Sequence, residues 1–448
     1  MKAVNALILT LFLSLLSWAQ IDDPFAGAAS MLPTSQHARP AASARLTLEE
    51  AQAAALANNP EIRLAARRLA VAEARQPAAG ALDDPSLMYR AWGVPLKSPY
   101  DLNQAQNMFM IGQSFPGPGK RVLRSQVAAE DITIAKAQLE AVKRDVTARV
   151  RTAFYTLLRN NEELRIHDGQ VALARQAMEA ARVKYMVGRV TQQDVLKAQL
   201  AVTKLVDHLV MLETDGATAR ATLDTLMGRD PGSPVEVVGE YALPASLPSL
   251  VELEKQALES RPELVAASAA VDQGETKAKL AAKAYTPDYS VAGGYMLMPS
   301  GSTNRSAYMA ELSMTLPWLN RRRHSADIAE AKADTAVRQA EYENQRALVF
   351  QQIQEALVRA DAARKLVDLY RNTLRPQTEA TLKATVAAYQ ADRTDFLNLL
   401  DSQNMSLDVD ISYYRALADF ESRMAELERA VGAPIANGAT NAVPEVKP

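Results

Sequence analysis

The sequence predicts a mainly α protein with a small β part. It is built as two structural repeats, each holding long coiled-coil-like helical hairpins and a pair of strands. Three observations carry this. The chain repeats itself at an interval of about half its length. The apolar period switches from two to between three and four inside each repeat. No proline interrupts the chain between Pro118 and Pro231.

The repeat is legible as paired motifs. "LTLEEAQAAALANNPEIRLA" returns as "PSLVELEKQALESRPELVAA", which sets Asn59-Pro60-Glu61 against Arg261-Pro262-Glu263. "QSFPGPGKR" returns as "MTLPWLNRR", pairing Pro116 with Pro317, and "YMVGRVTQQDVLKAQ" returns as "YQADRTDFLNLLDSQ". Each copy then reaches a glycine, Gly228 or Gly432. Near-constant offsets mark one supersecondary unit used twice. The reading divides the chain into a lead-in at 20–46, repeat 1 at 47–232, repeat 2 at 248–434 and a flexible tail at 435–448.

Strands come from strict alternation. Tyr289, Val291, Tyr295 and Leu297 oppose Ser290, Ala292 and Gly294, and Tyr308, Leu312, Met314 and Leu316 oppose Glu311, Ser313 and Thr315. These place strands at about 287–297 and 306–317. In repeat 1, Phe109, Ile111 and Phe115 share a face of a strand at 107–116, and 84–92 is a poorer fourth candidate. Apolar residues facing one way and small or polar ones the other fit either a membrane barrel or a soluble hairpin with one buried face. Four strands cannot close a barrel, and an open edge in lipid leaves backbone groups unsatisfied. The barrel reading therefore requires an oligomer, without choosing its size.

Helices follow each strand pair. Ala135, Leu139, Val142, Val146, Val150, Phe154 and Leu157 step by three and four along one stripe. This predicts helical hairpins over 120–227 and 320–431, turning at Val187-Gly188 and Ala391-Asp392, with a kink or break at Pro376. The first helix would be roughly 100 Å long at about 1.5 Å per residue.

Composition removes several function classes. The chain has 448 residues and a net charge of −2, so no global field recruits nucleic acid. It contains no cysteine, which excludes disulfides, thiolate chemistry and Cys-based zinc sites. The four histidines (His37, His167, His208, His324) show no metal-ligand spacing. "SFPGPGKRVLRS" at 114–125 has the look of a phosphate loop, but Arg121 stands where Ser or Thr is needed, and Pro116 and Pro118 remove two backbone donors. Nor is there a nucleophile elbow. No enzyme and no cofactor is expected.

Lys2, the apolar run Ala6–Leu16 and Ser17-Trp18-Ala19 read as a signal peptide over 1–19. No cysteine follows the cleavage site, so lipid attachment there is not expected. Seven of the fifteen methionines fall in or beside strands: Met88, Met108, Met110, Met296, Met298, Met309 and Met314. Thioethers bind soft cuprous ions, but packing or lipid-facing filler is their ordinary role and is the expectation here.

With "EEAQAAALANNPEI", the strand–"PGPGKR"–helix junction and the doubled hairpins ending in "LMG" and "AVG", the sequence resembles the TolC-type outer-membrane efflux protein family from about residue 47 to 434. The proline–glycine–lysine junction looks most like its heavy-metal branch. The resemblance implies a homotrimer in which four strands per chain make a twelve-stranded outer-membrane β-barrel over an α-helical periplasmic tunnel. The implied partners are outer-membrane lipid, a periplasmic adaptor (membrane fusion) protein and an inner-membrane pump of the resistance-nodulation-division type, passing metal cations or drugs. It also implies an acidic aperture near the second hairpin turn. Asp401 falls on one family aspartate position and Asn398 on the other. Asp395, three residues nearer the tip, shares their helix face and could supply the missing charge. Tyr389 and Arg393 are candidates for contacts that hold the tip closed, although the family's basic residue matches Thr394. Val187, Gly188, Arg189, Val190 and Thr191, with Asp392, Arg393 and Thr394, would form the adaptor-docking tips. Pro116, Gly119 and Pro317 would be the strand–helix joints. The competing reading is an exported coiled-coil scaffold or adhesin with no channel.

Overall fold

A computed structural model of the chain describes residues 44–97, 101–244, 246–391, 393–435 and 440–442. The expected signal peptide, the lead-in up to residue 43 and Asp392 lie outside the described residues.

Repeat 1 opens with β1 (Ala44–Leu46), α1 (Leu48–Asn58) and α2 (Pro60–Ala79). Strands β2 (Ser86–Trp92) and β3 (Gln106–Phe115) follow, then the helical hairpin of α3 (Lys120–Met186) and α4 (Gln192–Leu226). Short strands β4 (Val235–Val237) and β5 (Ala242–Pro244) lead into repeat 2. That repeat runs α5 (Leu250–Ser260), α6 (Pro262–Ala282), β6 (Tyr289–Leu297), β7 (Ser306–Met314), α7 (Arg321–Leu369), α8 (Arg375–Gln390) and α9 (Phe396–Val431). In the stretch expected to be a flexible tail, β8 (Thr440–Ala442) pairs antiparallel with β5. No described helix is long and apolar enough to cross a membrane.

The repeated motifs are revealed as matched fastenings. Asn59 caps α2 through hydrogen bonds from Glu61 and Ile62 N–H, and its Nδ2 donates to Leu226 O at 2.8 Å. Arg261 takes the equivalent place, and its guanidinium donates to Ala430 O. Gly228 and Gly432 then turn the chain at φ +70° and +83°. A Cβ on either would meet backbone of the cap segment, at 2.5 Å from Asn58 O or 2.7 Å from Arg261 Cα. Each repeat thus pins the end of its returning helix to the start of its second short helix.

Between these fastenings lies the core, where Phe154, Leu157, Leu223, Met227, Leu253, Ile353, Leu417, Phe420, Met424 and Leu427 are fully buried. Ion pairs join α3 to α9 across it. Arg151 holds Glu421 at 2.6 Å and Glu428 at 2.9 Å, and buried Glu163 takes the Arg415 guanidinium at 2.9 Å. Burial raises the Glu421 pKa against the opposing pull of Arg151. The second ascending helix does not break at Pro376 but passes through a π turn, Tyr370–Leu374, whose wider bond runs from Arg375 N–H to Tyr370 O. Proline offers no N–H to an α ladder, and the extra residue of a π turn absorbs that loss.

The long strands form one antiparallel sheet in the order β2-β3-β6-β7. Its register aligns Tyr89, Phe109, Tyr295 and Tyr308 in one row across all four strands. That face also exposes Leu87, Ile111, Val291 and Leu312. The opposite face is more shielded and carries Ser114, Ser290, Ser313, Gly112, Ala292 and Gly294.

Where sheet meets helix, the "PGPGK" stretch is a joint. Gly117 N–H and Lys120 Nζ both donate to Asp288 Oδ1, at 2.6 and 2.7 Å. Gly119 takes φ +86° at the start of α3, and a Cβ on Gly117 would lie 2.6 Å from Pro287 O. In the second repeat, Pro317 begins a 3-10 turn, Pro317–Asn320, into α7. Burial raises the Asp288 pKa, but the hydrogen bonds from Lys120 and Gly117 and the Lys120 charge outweigh it, so the carboxyl lies below its ordinary value. A depressed carboxyl stabilises fully above its unfolded value of about 3.9 and loses that contribution as pH falls through the folded value. Asp288→Asn should abolish this acid-dependent part of stability, and Gly117→Ala should cost about 1–3 kcal/mol by crowding the joint. Thermal unfolding of the assembled protein, followed from neutral to acid pH, checks both.

Candidate functional site: the hairpin tips and the aperture

At the far end of the hairpins from the sheet, the turns are built by local chemistry. Gly188 adopts φ +73° and its N–H donates to Tyr185 O at 2.9 Å, closing the end of α3. Thr191 starts α4, its N–H and Oγ1 both reaching Asp194 Oδ2 at 3.0 and 2.8 Å. Val187, Gly188, Arg189 and Thr191 are exposed. A Cβ at Gly188 would meet nothing within 4 Å, so its φ alone demands glycine.

On the second hairpin, Asp395 is the N-cap of α9, accepting from Asn398 N–H at 2.9 Å. Asn398 Nδ2 in turn donates to Thr394 Oγ1 at 3.2 Å. Phe396 and Leu399 are buried on the packed side of α9, while Asp395, Asn398 and Asp401 are all exposed. The three polar residues thus occupy the side of the helix start that neighbouring helices leave open. Asp395 has a local task, since a carboxylate at a helix N-terminus pairs with its free N–H groups and its dipole. Asp401 has no such employment.

Tyr389 joins the two tips. Lys184 Nζ, near the end of α3, lies 4.0 Å from the centre of its ring, and Phe396 packs against it edge-on at 6.2 Å. The phenol oxygen is buried and has no hydrogen-bond partner among the described residues, so among them the ring face rather than the hydroxyl makes the contact. Arg393 gives its backbone N–H to Ala388 O at 2.8 Å and its side chain is exposed. Nothing in the sequence pairs Lys184 with Tyr389, because cation and ring lie on separate hairpins.

Above the tips, α3 floors a cleft of about 840 Å³ walled by α4 and α9. His167 and His208 both line it, with ring centres 5.8 Å apart. The histidines that looked scattered in sequence therefore include one spatial pair, brought together by the antiparallel return of α4. Burial, then the His208 charge, lowers the His167 pKa. Among the described residues no group of three or more His, Cys, Asp or Glu side chains could hold a metal ion.

This architecture, with a four-stranded sheet exposing an apolar aromatic face above two long hairpins, is shared with known proteins. The outer membrane efflux protein pattern matches twice, at 51–229 and 253–433. The chain belongs to the outer membrane efflux protein family. It is 25% identical over 387 residues to the cobalt-zinc-cadmium resistance protein CzcC of Cupriavidus metallidurans, covering 86% of this chain and 90% of that one. Its fold matches the solved structure of CusC with a TM-score of 0.73 at 17% identity, covering 86% of this chain and 92% of that one. It also matches the open state of the Neisseria gonorrhoeae MtrE outer membrane channel with a TM-score of 0.66 at 18% identity, covering 87% and 90%. The protein is an outer-membrane channel component of a tripartite efflux system. It is a passive, non-catalytic conduit with a β-barrel in the membrane and a helical tunnel in the periplasm. Channels of this family work as homotrimers with a periplasmic adaptor and an inner-membrane pump.

The unpaired phenol yields a discriminating expectation. Tyr389→Phe should leave the tips unchanged, whereas Tyr389→Leu should release about 0.5–1 kcal/mol of cross-hairpin attraction. Limited proteolysis at the two turns, compared with Lys184→Gln and the double variant, measures that coupling.

Proposed function

We propose that this chain is the outer-membrane duct of a metal-cation efflux system driven by a pump of the resistance-nodulation-division type. Its aperture lies at the start of α9 and its adaptor-docking surface at the two hairpin turns. Likeness to CzcC over nine-tenths of that protein's length is the observation that carries the cargo. The exposed run Asp395, Asn398 and Asp401 supports the aperture. Three copies of Asp401 about one axis would attract cations and disfavour anions. Asp395 contributes less, because its carboxylate is engaged in capping. Val187, Gly188, Arg189, Thr191 and Thr394 supply a small, mostly exposed docking surface.

A deletion strain should become sensitive to Co²⁺, Zn²⁺ or Cd²⁺; sensitivity confined to dyes, bile salts or antibiotics would overturn the cargo. In planar bilayers Asp401→Asn should reduce cation preference, and an unchanged channel removes Asp401 from the pore lining. The absence of cysteine makes single-cysteine cross-linking clean. A cysteine at Val187 or Thr394 should cross-link to the adaptor. Failure at both positions, with a cysteine on α7 cross-linking instead, would relocate the docking surface.

A further inference from the structure

The strand register orders the methionines in a way their spacing did not reveal. Met88 pairs with Met110, Met108 pairs with Met296, and Met110 and Met309 flank Gly294 from either side. Side chains alternate along a strand and directly paired residues share a face. Met88, Met108, Met110, Met296 and Met309 therefore all lie on the shielded face, in two adjacent rows. Met314 is on the apolar face, paired with Tyr289, and Met298 lies beyond the end of β6. In the family's barrel the apolar face meets lipid and the other lines the lumen.

Gly294 gives this cluster its shape. A Cβ there would stand 2.8 Å from Met110 Cγ, so the Met110 side chain lies over the glycine. Met309 is the residue paired with Gly294 on the next strand, about 4.8 Å beyond β6. Met296 lies two residues along on the same face. Met110 is 3% exposed and Met108 8%, whereas Met88 is open. Arg90 Nη2 lies 3.5 Å from Met88 Sδ, which directs its charge to the edge of the cluster. Glu311 lies one row from Met309 on the same face.

We propose that Met110, Met296 and Met309, which the register places on one face around Gly294, form a thioether site for a soft monovalent cation such as Cu⁺ or Ag⁺, repeated three times around the barrel lumen. Neutral, polarisable sulfur selects such ions over Zn²⁺, Co²⁺ or Mg²⁺, which favour nitrogen and oxygen donors. Five strand methionines share the lumenal face and one, Met314, lies on the lipid face, a distribution that a packing role alone does not require. The site rests on the barrel and not on the cargo proposed above.

Ag⁺, which needs no reductant, is the probe, titrated calorimetrically into the detergent-solubilised trimer and applied to single channels. With no cysteine in the chain, no thiol competes. Wild type should bind Ag⁺ saturably, with Zn²⁺ failing to displace it, and Ag⁺ should reduce conductance. Met110→Leu/Met296→Leu/Met309→Leu should weaken binding at least about tenfold, while Met298→Leu/Met314→Leu should not. Met→Leu conserves volume and costs little. Should the triple variant fail to form trimers, Met309→Leu alone is expected to show the same direction. Unchanged Ag⁺ affinity in whichever of these variants assembles, or an equal loss in the Met298/Met314 control, would overturn the site. Metal sensitivity of the deletion strain could fail without affecting this result.

Discussion

The constraint on which this molecule depends is the pair of unpaired edges of its four-stranded sheet. Among the described residues, β2 and β7 each present a row of backbone donors and acceptors with no strand beside them, on a sheet whose apolar face is made for lipid. Hydrocarbon cannot satisfy those groups, so a single chain cannot be the folded unit in a membrane. Closure by other copies fixes the strands in a ring, and the hairpins that leave the same sheet must then form a cylinder. Tunnel, aperture and tip geometry descend from the need to pair two sheet edges.

A ring of strands transmits its geometry to a ring of helices only if the junctions are stiff. In repeat 1, Asp288 supplies that stiffness by taking Gly117 N–H and Lys120 Nζ on one oxygen. Because Asp288 stands at the base of β6, the clamp also ties repeat 1 to repeat 2. The second joint uses Pro317 and a 3-10 turn, with Asp288 N–H donating to Thr315 Oγ1 and Tyr285 Oη to Arg321 O. Duplication preserved the corner and allowed its chemistry to diverge. A phosphate loop would have had to keep both glycines, and the repeat 2 copy has neither.

Local chemistry was legible in the sequence, and pairing across distance was not. Period-two and helical stretches reported themselves because each face has one solvent, and Gly188 announced a turn because few residues adopt its φ. The Asn59 and Arg261 motifs could be matched to each other, but their target carbonyls at Leu226 and Ala430 required the fold. Asp288 was silent, lying 168 residues from Lys120. The His167–His208 and Lys184–Tyr389 contacts were silent for the same reason. Register was the costliest omission: alternation puts methionines on strands, but only pairing shows that five share one face. At the aperture the sequence placed Asp395, Asn398 and Asp401 on one helix side, yet could not reveal that capping occupies Asp395.

The distribution of burial along the hairpins bears on how such a duct can open. The C-terminal half of α9 buries one face against the core, from Leu417 to Val431, whereas α8 has no buried residue. Its upper end is held by Arg375, which pairs with Asp410 at 2.8 Å and stacks over Tyr413 at 4.6 Å, next to the π turn. Below that point the second hairpin depends on contacts such as Tyr389 with Lys184 and Phe396. Segments with few buried apolar contacts open at low cost, while those in the core move only with global unfolding. The fold therefore places its rigid part where closure is needed, at the sheet and the core belt. It leaves its compliant part at the tips, where a partner's binding energy can act without straining the barrel.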